Sequence, residues 1–247
     1  MHIMQMLGII TIVFFVALFL MCYYRDKLDN PLINNLFLIC DAFFMFCWTY
    51  AGFEKGWLKD GFMTLENISP FICTVIPFTV LMSDKIKEYA YPAIAFLGFG
   101  MLLAMYISPE HEYLFNYSDR AQFVHVSEAS CHMIMALYGF YLILSNKVSV
   151  DFKNLIKGTV FMYLSILYGV FLNLAFHTNN FGMNMYGNYK IYFLDIFGSF
   201  EITLIAYLLG VFATLLLGFI LGLILDWFSK KKYPELLNHK DEDILEM

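Results

Sequence analysis

The chain has 247 residues, of which 60% are hydrophobic and only 15% charged. That composition excludes a soluble globular domain, which needs more polar surface to face water. The formal charge of −6 comes largely from loops and the tail, and no basic surface for nucleic acid is present. The expectation is an all-α, polytopic membrane helix bundle.

Seven apolar segments follow in chain order, at about 7–24, 36–53, 70–83, 90–107, 124–145, 159–176 and 202–226. The first lacks a basic leader and a small-residue cleavage site, so it reads as a retained span. The third falls short of the about 20 residues a span needs, which implies tilt, local bilayer thinning or a re-entrant path. Pro77 and Pro92 mark kinks inside the third and fourth segments. Lys and Arg divide unevenly between the two sets of connections. Eleven (Arg25, Lys27, Lys85, Lys87, Lys147, Lys153, Lys157, Lys230, Lys231, Lys232, Lys240) face four (Lys55, Lys59, Arg120, Lys190). The richer side is expected in the cytoplasm, with the N-terminus outside and the C-terminus inside.

Residues 1–228 are thus read as the transmembrane domain and 229–247 as a cytoplasmic tail, basic at Lys230–Lys232 and then acidic. The loops 54–69, 108–123 and 177–201 fall on the outer side, the last rich in Asn, Gly and Tyr as a vestibule cover would be. Cys22, Cys40, Cys47, Cys73 and Cys131 all lie in or beside spans without metal-ligand spacing, and read as packing residues.

The fifth segment carries His125, Glu128 and His132, whose spacings of three and four put them on one helical face. Ionisable groups in a span are costly and point to a functional site. At 1.5 Å per residue, four segments offer polar groups at similar depth in the outer half. They are His125, Glu128 and His132; Asn173 and His177 at the end of the sixth; Glu201 at the start of the seventh; and Cys73 with Thr74 in the third. Asp41 and Asp226 are placed toward the cytoplasmic side, away from this group. Each has a plain structural reading too. His125 and Glu128 suit the membrane interface, His132 and Asn173 could bond across helices, and His177 suits a helix C-terminus.

Two chemistries fit. His132 could act as general base toward Cys73 or Thr74 in acyl transfer, with Glu128 orienting the imidazole. Alternatively His125, Glu128 and His132, with or without His177, could bind a water-activating divalent metal, although HxxExxxH is no established zinc signature; the favoured expectation is a site with no metal and no cofactor.

The run Ser130-Cys131-His132-Met133-Ile134-Met135 resembles the Ser-His-Gly-type segment of the YwaF-like integral membrane proteins. Cys73-Thr74-Val75-Ile76-Pro77-Phe78 is similar to the segment following that family's Pro-Leu-His-Leu-Cys motif. Asn173-Leu174-Ala175-Phe176 and Tyr192-Phe193-Leu194-Asp195-Ile196-Phe197-Gly198 resemble its late blocks, in the same order. Phe71 stands nearest the family's early histidine. Relatives of that family include Cys/His membrane acyltransferases, and its wider clan includes androgen-induced Thr/His lipid hydrolases. The resemblance implies His132 as the base. Retinal proteins are excluded because 202–227 has no lysine, and the seven-span zinc hydrolases because their histidine motifs are missing.

The expected function is therefore a lipid-directed acyltransferase or hydrolase with an outer-leaflet intramembrane site, resident in the plasma membrane. Its partners would be membrane lipids. The alternative is a non-enzymatic protein that binds or transports a small ligand or ion in an outer vestibule.

Overall fold

The structure, a computed structural model, describes residues 3–55, 68–107, 119–176, 180–182 and 198–232. Among these it contains seven α-helices and no strand. They are α1 (Ile3–Tyr23), α2 (Pro31–Lys55), α3 (Ile68–Phe78), α4 (Asp84–Ile107), α5 (Asp119–Leu144), α6 (Phe152–Phe176) and α7 (Phe200–Lys232). Each corresponds to one apolar segment of the sequence. Four of them, α2, α5, α6 and α7, are long and apolar enough to cross a membrane. Of the expected loops, residues 56–67, 108–118, 177–179 and 183–197 lie outside the described residues, as does the tail from residue 233 onward.

The helices begin earlier than hydrophobicity alone indicates, because polar residues start them. Asn30 caps α2, its Oδ1 accepting the Leu32 amide at 2.9 Å, and Pro31 occupies the first helical position. Asp151 Oδ1 accepts the Asn154 amide at 2.8 Å ahead of α6, and Ser199 Oγ accepts that of Ile202 at 3.3 Å ahead of α7. At its other end α7 runs on through Lys232, beyond the boundary at 228. Helix α3 is short for a local reason. Pro77 has no amide proton to donate, and the chain tightens into a 3-10 turn at Thr79–Leu81, where Thr79 donates its hydroxyl to the Ile76 carbonyl at 2.6 Å.

Helix α5 occupies the centre, packed against α1, α2, α3, α4 and α7. Of its span Val126–Leu144, 83% is buried, against 22% of each of the three other spans. The outer helices turn large apolar side chains away from the bundle, such as Phe15 and Phe19 on α1, Phe43 and Phe46 on α2, and Leu164 and Phe171 on α6. An apolar exterior of this extent suits a hydrocarbon solvent.

Small residues allow the central helices to touch backbone to backbone. A Cβ placed on Gly98 of α4 would lie 2.6 Å from the Met135 carbonyl oxygen of α5. One placed on Gly218 of α7 would overlap that of Phe96. Helix α4 is thus gripped on both flanks.

Charged residues gather at one end of the bundle. Arg25, just after α1, is buried and donates to Asn146 Oδ1 at 3.1 Å, to Asp226 Oδ1 at 3.0 Å and to Ser229 Oγ. Asp226 also pairs with Lys230 at 2.6 Å, Lys147 with Asp29 at 3.6 Å, and Lys157 with Glu88 at 2.7 Å. One guanidinium therefore ties together the first helix, the α5–α6 turn and the last helix.

Two predictions follow from this packing. Gly218→Ala forces overpacking and should lower thermal stability in detergent by about 1–3 kcal/mol. Gly210→Ala, where a Cβ meets nothing within 4 Å, should be neutral or stabilising by up to about 1 kcal/mol. Arg25→Met should cost about 3 kcal/mol or less, the lower figure reflecting the Lys230 that Asp226 keeps. Adding Asp226→Asn should recover little of that loss in the same melting assay, because the carboxylate keeps Lys230.

Candidate functional site

Helix α2 faces α5 along a stripe of Asn34, Leu38, Asp41, Met45 and Trp48, spaced four and three residues apart. Leu38, Asp41, Met45 and Trp48 are buried. Three of the five carry polar atoms, one every seven residues, or about 10 Å along the helix axis. Trp48 and Asn34 each meet a polar group on α5.

Trp48 marks the level nearest the N-terminal end of α5. Its indole lies 5.9 Å from the His132 ring, centroid to centroid. His132 is buried, and its Nδ1 donates to the Glu128 carbonyl at 2.8 Å. A carbonyl only accepts, so Nδ1 carries a proton. Glu128 itself is half-buried, one turn away.

Asp41 defines the middle level. It is fully buried, and neither carboxylate oxygen has a hydrogen-bond partner among the described residues. Cys73 of α3 is itself fully buried, with its Sγ 4.0 Å from Met135 Sδ of α5.

Asn34 marks the third level. Its Oδ1 accepts the Tyr138 hydroxyl at 3.1 Å. Beyond this level lies the Arg25 cluster.

The sequence expectations fare unevenly against this arrangement. Glu128, His132 and Cys73 do come to one region. Asp41 was expected on the cytoplasmic side, apart from them, and the structure corrects this. With α2 starting at Pro31 rather than at 36, Asp41 stands nine residues from Tyr50 and ten from Pro31 within its span Pro31–Tyr50, at mid-depth. Thr74 donates its hydroxyl to the Pro70 carbonyl at 2.8 Å, back along its own helix. Asn173 is buried and clamps the 3-10 turn at Asn180–Gly182. Its Oδ1 accepts the Asn180 amide at 2.6 Å and the Asn180 side chain at 2.8 Å, and its Nδ2 donates to the Asn180 carbonyl at 3.0 Å. That clamp seats Phe181 against Phe71 of α3, with ring centroids 5.6 Å apart. Glu201 is exposed in the first turn of α7, where a negative charge complements the helix dipole. The side chain of His125 and the whole of His177 lie outside the described residues. No three His, Cys, Asp or Glu side chains among the described residues form a metal-holding group.

Asp41, Trp48 and Met135 were missed as site members. The signal was the 3–4 spacing of the α2 stripe, which an apolar window starting at 36 cut short.

Asn173→Ala should cost about 2 kcal/mol, given hydrogen bonds worth about 1 kcal/mol each when part of the loss is recovered by water. It should also speed hydrogen exchange at the Asn180 amide. Glu201→Gln should change stability by no more than about 0.5 kcal/mol. The chain matches no protein-family model, no curated protein and no solved structure.

Proposed function

We propose that this is an integral membrane protein that relays protons through the interior of its helix bundle, with Asp41 as the central proton-carrying group. The single observation that carries this reading is the buried Asp41 carboxyl without a hydrogen-bond partner among the described residues. A bare carboxylate in such a site costs far more than a protein's net stability, so the group must carry a proton or a bound cation. Chains of Asp, Glu and His inside spans are the usual form of a proton relay. Glu128 and His132 stand on one side of Asp41, and Tyr138 with Asn34 on the other. The two sets are within about two helical turns of it.

The arrangement we propose has seven spans, the N-terminus outside, acyl chains of membrane lipids against the outward apolar faces, and residence in the plasma membrane. It is the ion-binding alternative drawn from the sequence, with the site moved from an outer vestibule into the bundle core.

A second reading is the lipid-directed acyltransferase or hydrolase that the YwaF-like resemblance implies, with His132 as base. What favours it is the Cys73 thiol, 4.0 Å from the sulfur of Met135, which is about one turn from His132 on α5. What weighs against it is access: Cys73 is fully buried and the Thr74 hydroxyl is engaged by its own helix.

Proton movement into vesicles containing the purified protein, driven by a potassium diffusion potential and read with an internal pH dye, tests the proposal. Asp41→Asn should abolish the flux, and His132→Ala should slow it by at least about tenfold. Cys73→Ser should leave it intact while removing any acyl transfer that depends on a thiol. Flux unchanged in Asp41→Asn would sink the relay.

A further inference from the structure

Helices α4 and α6 both start at the charged end of the bundle and run side by side from there. They touch at Gly158, where an added Cβ would lie 2.9 Å from the Ala93 backbone nitrogen. Nearer the charged end they are joined by an ion pair, Lys157 of α6 with Glu88 of α4 at 2.7 Å. Lys85 precedes Glu88 by three residues and Lys153 precedes Lys157 by four, so each shares a helical face with one member of the pair. Both are exposed, and neither forms an ion pair among the described residues. Lys157, and beyond it Lys153 and Lys85, hold the Glu88 carboxyl below the ordinary carboxylate range.

Lys87 pairs with Asp84 at 3.5 Å, and Asp151 is turned into its own helix cap, accepting from Ser149 and Asn154. With those two carboxylates and Glu88 counted, four lysines face three acids, a surplus of one positive charge. The start of each helix adds partial positive charge from its dipole. Further along α6 the face of Lys153 and Lys157 turns apolar, with Val160 and Leu164 both exposed. These two lie about 10 and 16 Å along the axis from Lys153, comparable with the about 15 Å of hydrocarbon in one leaflet. A soluble anion would leave that stripe without an occupant.

We infer that the α4–α6 seam binds one anionic phospholipid, its phosphodiester between Lys85 and Lys153 and an acyl chain along Val160 and Leu164. A single phosphodiester charge cancels the local surplus, and basic clefts between spans hold anionic headgroups in this way. Tyr89 is exposed, with the Lys157 ammonium 5.7 Å from its ring centroid, and borders the headgroup level. Lipid binding here is independent of the proton relay, whose groups lie on α2 and α5.

The test is native mass spectrometry of the purified full-length protein in a neutral detergent, titrated with phosphatidylglycerol or with phosphatidylcholine of the same acyl chains. The wild type should retain one phosphatidylglycerol at concentrations where phosphatidylcholine is not retained. Lys85→Gln and Lys153→Gln should each weaken that binding about fivefold, and together about 25-fold. A Lys27→Gln/Lys147→Gln variant removes the same charge from the same end of the bundle and should leave the affinity unchanged. Inorganic phosphate in large excess should not displace the lipid. Melting in detergent identifies any variant that has lost its fold, and the single variants remain informative if the double one does. Equal retention of the two lipids would overturn the proposal. So would unchanged binding in Lys85→Gln/Lys153→Gln, an equal loss in Lys27→Gln/Lys147→Gln, or displacement by inorganic phosphate, which would mark a site for a soluble anion.

Discussion

The close approach of α4 to its neighbours is the constraint on which the rest of the structure depends. Between helices in lipid there is no hydrophobic driving force, since acyl chains are as apolar as leucine side chains. Association must come from van der Waals contact, and that contact is best where backbones touch. Gly98 against Met135 and Gly218 against Phe96 supply it on two flanks of one helix. Ala93, Ala95 and Ala136 continue the same small-residue surface and are buried. With α4 held this way, α5 is enclosed, and the outer helices can spend their large side chains on lipid.

Enclosure of α5 is in turn what gives its polar residues their chemistry. A histidine facing lipid would lie at the interface or be lost to selection against its cost. His132 instead lies among Trp48 and its own helix backbone, and Asp41 lies fully buried. Burial removes water as a competitor for protons. The same three helices, α2, α3 and α5, thus serve both as packing core and as the location of Asp41, His132 and Cys73. The short α3 contributes by bringing Cys73 into the core, and its break at Pro77 is followed by the turn in which the Thr79 hydroxyl is held by the Ile76 carbonyl.

Much of this was legible in the sequence, and the failures have definite causes. Each apolar segment became a helix, because in a chain this hydrophobic a long apolar run has no other way to satisfy its backbone. Helix ends were misjudged where the starting signals, Asn30-Pro31, Asp151 and Ser199, are polar and lie outside the apolar window. That error alone displaced Asp41 from its true depth. The face shared by Glu128 and His132 was readable from spacing. Which side of α2 met it was not, since that pairing is a tertiary contact set by no local pattern. The partner of Asn173 was unreadable for another reason: it lies in an irregular turn whose Phe181 takes a positive φ of 54°, a conformation that no local pattern announces.

The Arg25 cluster has a consequence for how the chain is made. Its carboxylate partner, Asp226, lies 201 residues downstream. At a synthesis rate of about 5–20 residues per second, the ribosome needs about 10–40 s to deliver it. During that interval the guanidinium at the end of the first helix waits in the membrane without its carboxylate. Only the arrival of the last helix ends the wait, so a chain cut short by truncation keeps a solitary cation at that position. Cellular surveillance of half-made membrane proteins would have a chemically distinct mark by which to find it.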